Sequence, residues 1–180
     1  MSEYPTALRV AQAVGISGSI WLSGNICGLS AIAMPVFFRS RRERGEKDNI
    51  PQTKLARQWE SFYDHGHAQN PPIAAATACA YAYLGWAVGS RSELFSRLAG
   101  ANTGLSYRLA GFLTVGIVPW TLGFMMPTNY KLMEIAQGLE GKEVSDEEFD
   151  EVLRHWQVTN AIRGLFPLAG GLLGLLTALL

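Results

Sequence analysis

The chain has 180 residues, 15 basic against 15 acidic side chains, a formal net charge of zero and 48% hydrophobic residues. It has no basic, aromatic-interleaved face for nucleic acid, and its two cysteines, Cys27 and Cys79, stand far apart without a CxxC partner, so neither a disulfide scaffold nor thiolate chemistry is indicated. These averages hide a strict segregation, because Val10 to Phe38, Ala68 to Ser90, Leu109 to Tyr130 and Gly164 to Leu180 carry no charged side chain.

A hydrocarbon core about 30 Å thick is crossed by about 20 helical residues at 1.5 Å each. Three of the four stretches meet that length outright and the last nearly does. The expected fold is all-α: an integral-membrane four-helix bundle forming one domain over residues 1–180, with spans at about 10–38, 68–90, 109–130 and 160–180 and short interfacial helices in the loops.

Span one contains Ala31-Ile32-Ala33, which fits a small-residue cleavage pattern, but its uncharged run is far longer than a signal core, and an uncleaved first helix is expected. Asn25 lies deep within it, where an amide needs a partner on another helix or on a ligand. The following loop, Arg39 to His67, has seven Lys and Arg; Lys131 to Arg163 has four, the N-terminal tail one, and Arg91 to Arg108 three. Eleven against four puts the two larger loops in the cytosol of a multi-pass protein.

After Pro51, the residues Leu55, Trp59, Phe62 and Tyr63 share one helical face, as in an amphipathic segment lying on the membrane, with Trp59 and Tyr63 as interface anchors. His65 and His67 form an HxH pair that could hold iron or copper if His155 approached as a third ligand; on a helix, however, alternate residues diverge by about 200°, and the stretch reads as a helix end or loop. In spans two and three, Tyr81, Tyr83 and Trp86 with Trp120, Phe124, Met125 and Met126 read either as packing or as the walls of an aromatic cavity.

Ser145 and Glu148 make a capping box, and Phe149, Val152, Leu153 and Trp156 form a stripe running into span four. Trp156, Asn160 and Arg163 then stand at i, i+4 and i+7, so an indole, an amide and a guanidinium share one face. Arg163 opens the span and either turns toward protein and ligand or snorkels to lipid phosphate. Gly24 and Gly28, Gly85 and Gly89, and Gly170 and Gly174 have the spacing of helix-contact seams, which allow a homo-oligomer without requiring one. Alternating spans bring the end of span one, the start of span two, the end of span three and the start of span four to one face, with all three histidines, Asn129, Asn160 and Arg163.

Several pieces together, namely Trp59 and Tyr63 followed by Gly66 and Pro71, Pro119-Trp120-Thr121 through Pro127-Thr128-Asn129, and Trp156 with Asn160 and Arg163, give a pattern that resembles the fungal anthrone oxygenases. These are small four-span membrane proteins of aromatic polyketide pathways, and the resemblance covers most of the chain. It implies oxidation of the central methylene of an anthrone to an anthraquinone with molecular oxygen as co-substrate, no metal or organic cofactor, a lipophilic aromatic polyketide substrate, and an endoplasmic reticulum or related membrane. On that reading Arg163 and Asn160 hold an oxyanion, and His65, or His155, or a water held by Asn129, is the base. Trp156, Tyr63 and Trp120 stack on the rings, and Asn25 and His67 add substrate contacts. The competing readings are a metal-dependent oxygenase using His65, His67 and His155, and a non-enzymatic membrane protein that binds lipophilic intermediates.

Overall fold

A computed structural model describes residues 5–43, 50–89, 102–138 and 144–179. Its elements are α1 (Thr6–Gly28), the π-helical turn π1 (Leu29–Ala33), α2 (Met34–Glu43), α3 (Gln52–Gly89), α4 (Thr103–Val115), α5 (Ile117–Trp120), the π-helical turn π2 (Thr121–Met125), α6 (Met126–Gln137) and α7 (Asp146–Leu179). Among the described residues there is no strand, and the all-α expectation holds. Three continuous helical stretches are long and apolar enough to cross a membrane: Thr6–Arg39, Thr103–Gln137 and Asp146–Leu179. The second half of α3 is free of charge but alanine-rich, and it carries Gln69, Asn70, Pro71 and Pro72.

The loop helices differ from expectation. The segment that opens at Pro51 is the first part of the 38-residue α3, about 57 Å long at 1.5 Å per residue, which runs unbroken through Pro71 and Pro72. His65 and His67 therefore sit inside a helix, not at its end. The capped segment after Ser145 likewise continues without a break into the last 34-residue helix, as its stripe foretold. Its start is well specified: the Glu148 amide donates to Ser145 Oγ at 3.1 Å, and three acids fill the first turn beside the positive end of the helix dipole.

The chain divides into two compact units, one of residues 1–24, 70–118 and 164–180, the other of residues 25–69 and 119–163. The first is built on small residues. Tyr81 is wholly buried, and a Cβ added at Gly15 or Gly111 would lie 3.0 Å from its side chain, while one at Gly174 would collide with its hydroxyl. That hydroxyl donates to the Gly170 carbonyl at 3.3 Å. Gly104 packs on the backbone of Gly89, and Gly170 on the Ala110 carbonyl and the Thr114 hydroxyl, so the Gly85/Gly89 and Gly170/Gly174 seams are real close approaches. Gly24 and Gly28 are not: a Cβ at either meets nothing within 4 Å. Tyr83 and Trp86 are exposed rather than lining a cavity.

The second unit has the larger aromatic core. Met34, Leu55, Ala56, Trp59, Met125, Leu132, Ile135, Ala136, Phe149, Leu153 and Trp156 are all buried together. Leu55 and Trp59 are thus core residues on an inward face of α3, and only Phe62 keeps the exposure an interface anchor would have. The reason is partnership: the Phe149–Leu153–Trp156 stripe of α7 offers that face apolar surface to cover, and each large side chain so buried contributes about 1.5–3 kcal/mol. Gly138 ends α6 with φ of 68°, a left-handed conformation that suits glycine.

Candidate functional site

The second unit contains the candidate site residues named from the sequence: Tyr63, His65 and His67 from α3, Trp120 from α5, Asn129 from α6, and His155, Trp156, Asn160 and Arg163 from α7, with Asn25 from α1. Asn70, Pro71 and Pro72 belong to the other unit. At its centre is an aromatic stack. Trp59 lies edge-on to Trp156 with ring centroids 5.7 Å apart and stacks on Tyr63 at 5.4 Å, and Tyr63 stacks in turn on His67 at 5.8 Å. One face of α3 supplies Trp59, Tyr63 and His67 at i, i+4 and i+8, which is why the three rings align.

The polar residues of α7 are held by the end of α1, the two π turns and α6. Asn160, fully buried, donates through Nδ2 to the Ile26 carbonyl at 2.9 Å and to Ser30 Oγ at 2.8 Å; Gln157 Nε2 donates to the Ser30 carbonyl at 2.8 Å. Arg163 Nη1 donates to Thr121 Oγ1 at 3.2 Å, so the guanidinium turns toward protein and not outward to headgroups. Trp156 Nε1 donates to Asn129 Oδ1 at 3.0 Å, with both side chains buried. Asn129 Nδ2 has a sulfur partner, Met126 Sδ, at 3.9 Å. Trp120 Nε1 donates to the Thr159 carbonyl at 3.0 Å, and its ring stacks on Phe124 at 4.4 Å.

Three buried atoms of this unit find no hydrogen-bond partner among the described residues: Trp59 Nε1, Asn160 Oδ1 and Arg163 Nε. Buried polar atoms are rarely left unpaired, because each forfeits its hydration for nothing. Two donors and one acceptor are thus left open among the buried residues of this unit. Burial pushes the Tyr63 phenol above its ordinary value, opposed by the Arg163 guanidinium, so Tyr63 is a neutral hydroxyl at physiological pH.

Two assignments change. The sequence gives Asn160 the part of a donor beside Arg163, but both its N–H groups are committed to Ile26 and Ser30, and what it presents is an acceptor. His65, first choice as base, is exposed and lies about 200° round α3 from Tyr63 and from His67, with Nδ1 turned back to the Ser61 carbonyl at 2.7 Å. His155 is exposed on α7, and Asn25 is half-buried. Among the described residues no three His, Cys, Asp or Glu side chains are grouped to hold a metal ion, so His65, His67 and His155 do not form the ligand set considered for iron or copper. Trp59, Ser30, Thr121 and Gln157 are members that sequence reasoning did not assign to the site. For Ser30 and Thr121 the available signal was a proline shortly after each, Pro35 and Pro127.

A family model described as Anthrone oxygenase matches residues 59–173, well over half of the chain. The chain belongs to the anthrone oxygenase family. The matched region opens at Trp59 and contains every site residue named above except Asn25, Ile26 and Ser30. An anthrone oxygenase of Aspergillus fumigatus is 36% identical over 178 residues, covering 92% of this chain and 91% of that protein. An anthrone oxygenase of Paecilomyces divaricatus is 34% identical, with 91% and 92% covered, and a noranthrone monooxygenase of Aspergillus flavus is 31% identical, with 89% and 69% covered. No solved structure matches the chain.

Proposed function

We propose that this protein is an oxygenase that converts the central methylene of an anthrone-type aromatic polyketide into the carbonyl of an anthraquinone, with molecular oxygen as co-substrate. Membership of the anthrone oxygenase family and the names of its relatives support the reaction class. The observation that carries the reading to particular residues is the buried, unpartnered Nε–H of Arg163, on the α7 face that also presents Trp156 and Asn160.

Deprotonating the methylene moves its electron pair into the keto group, and the resulting oxyanion needs a cation or a donor. Arg163 supplies both, and the Trp59 indole N–H is a second donor. The electron-rich carbon bonds to oxygen, giving a hydroperoxide. Loss of the second methylene proton with cleavage of the O–O bond then yields the carbonyl and water. These steps need no metal or organic cofactor. Of the three imidazoles, His67 is favoured as base over His65 and His155 because its ring contacts Tyr63, while its exposure lets it pass the proton to solvent. Tyr63, Trp59, Trp156 and Trp120 provide flat apolar surface for the rings.

The same reading makes the protein multi-pass, with the uncharged second half of α3 as a fourth crossing and the larger, more basic loops cytosolic, in the endoplasmic reticulum or a related membrane. The test is to incubate enriched membranes with an anthrone under air and under nitrogen, with and without chelator, and to weigh the product. Quinone is expected under air alone, with no effect of chelator. Arg163→Ala should lower turnover by about 10²–10³-fold, with Arg163→Lys recovering part of it; near-wild-type rates in both variants remove Arg163 from the mechanism.

A further inference from the structure

The sense of the Asn160 amide is fixed by its surroundings. A backbone carbonyl only accepts, so the atom 2.9 Å from the Ile26 oxygen is the NH2 group, and the same group reaches Ser30 Oγ at 2.8 Å. Gln157 holds the Ser30 carbonyl from the same helix, so π1 and α7 brace this arrangement at two points. The amide oxygen is left over: fully buried, and without a partner among the described residues. The other unpaired buried atoms of this unit, Arg163 Nε and Trp59 Nε1, are donors. A carbonyl oxygen repels an oxyanion and ignores an aromatic C–H edge. It calls for an O–H.

We propose that Asn160 is a specificity-determining residue, whose Oδ1 accepts a hydrogen bond from a phenolic hydroxyl on the rings of the substrate. The inference rests on the reading of this unit as the anthrone site and assigns recognition of a free ring hydroxyl to this one side chain. An anthrone bearing hydrogen or methoxyl at that ring position leaves a buried acceptor unsatisfied, and discrimination against a group missing a required hydrogen bond is the strong kind. Residues i and i+3 on a helix are neighbours, so a molecule held by Asn160 Oδ1 sets its oxygen functions in reach of Arg163 at the same time.

The experiment compares wild-type membranes on monohydroxyanthrones, the corresponding methyl ethers and unsubstituted anthrone, reading kcat/KM for oxygen-dependent quinone formation. For at least one hydroxyl position the free phenol should exceed both analogues by about 10- to 100-fold. Asn160→Leu should bring that ratio close to one; should Leu not accumulate in membranes, Asn160→Ser, whose hydroxyl can still donate to a backbone carbonyl, serves instead. Equal kcat/KM for phenol, ether and parent, or a preference that survives loss of the amide, overturns the inference while leaving the oxygenase reading intact. Absence of turnover on every anthrone overturns the oxygenase reading itself.

Discussion

The Trp156–Asn129 pair offers a test in which a structural and a chemical role give opposite answers. Trp156 Nε1 donates to Asn129 Oδ1 at 3.0 Å, Asn129 is wholly buried and Trp156 nearly so. Trp156→Phe leaves the Asn129 carbonyl without its donor, a loss of about 1–3 kcal/mol, and the smaller ring opens a cavity worth about 1 kcal/mol more. Asn129→Leu leaves the indole N–H unpaired, again about 1–3 kcal/mol. In the double variant no polar group is orphaned and only the cavity cost remains. The singles should therefore sum to more than the double by the two orphaning costs together, a coupling energy of about 2–6 kcal/mol. Denaturation of detergent-solubilised protein measures the cycle, and anthrone turnover is read on the same four proteins. If Asn129 only props Trp156, stability and turnover recover together in the double variant. Should Asn129 hold the water that carries the proton, stability recovers and turnover does not. Strict additivity of the two single losses would refute the hydrogen bond as the organising contact and the reasoning built on it.

Three further outcomes follow from the same geometry. A methyl group at Gly174 would sit 2.7 Å from Tyr81 Cε1, and the ring cannot retreat because Gly15 and Gly111 bracket it; Gly174→Ala should lower stability by about 1–3 kcal/mol, whereas Gly28→Ala, with nothing within 4 Å, should be neutral or slightly stabilising in thermal unfolding. Thr121→Val removes the acceptor of Arg163 Nη1, and kcat should fall by about tenfold with KM little changed and Thr121→Ser restoring it, the mark of a positioning residue. Burial raises the Tyr63 phenol above 10.0, so the folded protein holds that proton at a pH where the unfolded chain releases it; the associated stability is complete below about pH 10 and is lost as pH rises through the raised value. The melting temperature in alkaline solution should accordingly fall further for wild type than for Tyr63→Phe.

Much of this site could be read from periodicity, and the part that could not has an identifiable physical cause. The stripe Phe149, Val152, Leu153, Trp156, Asn160, Arg163 keeps helical spacing through a capped start, so both its existence and its common face follow from the sequence alone, and Phe149, Leu153 and Trp156 are buried as that spacing requires. The stretch around His65 and His67 read as a helix end or loop, yet α3 continues past it and through Pro71 and Pro72 at the cost of two carbonyl partners, His67 and Ala68, so what looked like a surface helix and a separate span is one continuous helix whose first part is core. Pro35 and Pro127 act differently: each follows by two residues a five-residue π turn, the wider turn that relieves the clash between a proline ring and the preceding helix. Those turns present Ser30 and Thr121 to α7, contacts spanning 130 and 42 residues that no local pattern encodes. The same separation explains why the sequence cannot say which end of the Asn160 amide is committed. A side-chain amide has both functions, and which one stays open is decided by the Ile26 carbonyl, 134 residues away in the chain, an acceptor that leaves Asn160 only its oxygen to offer.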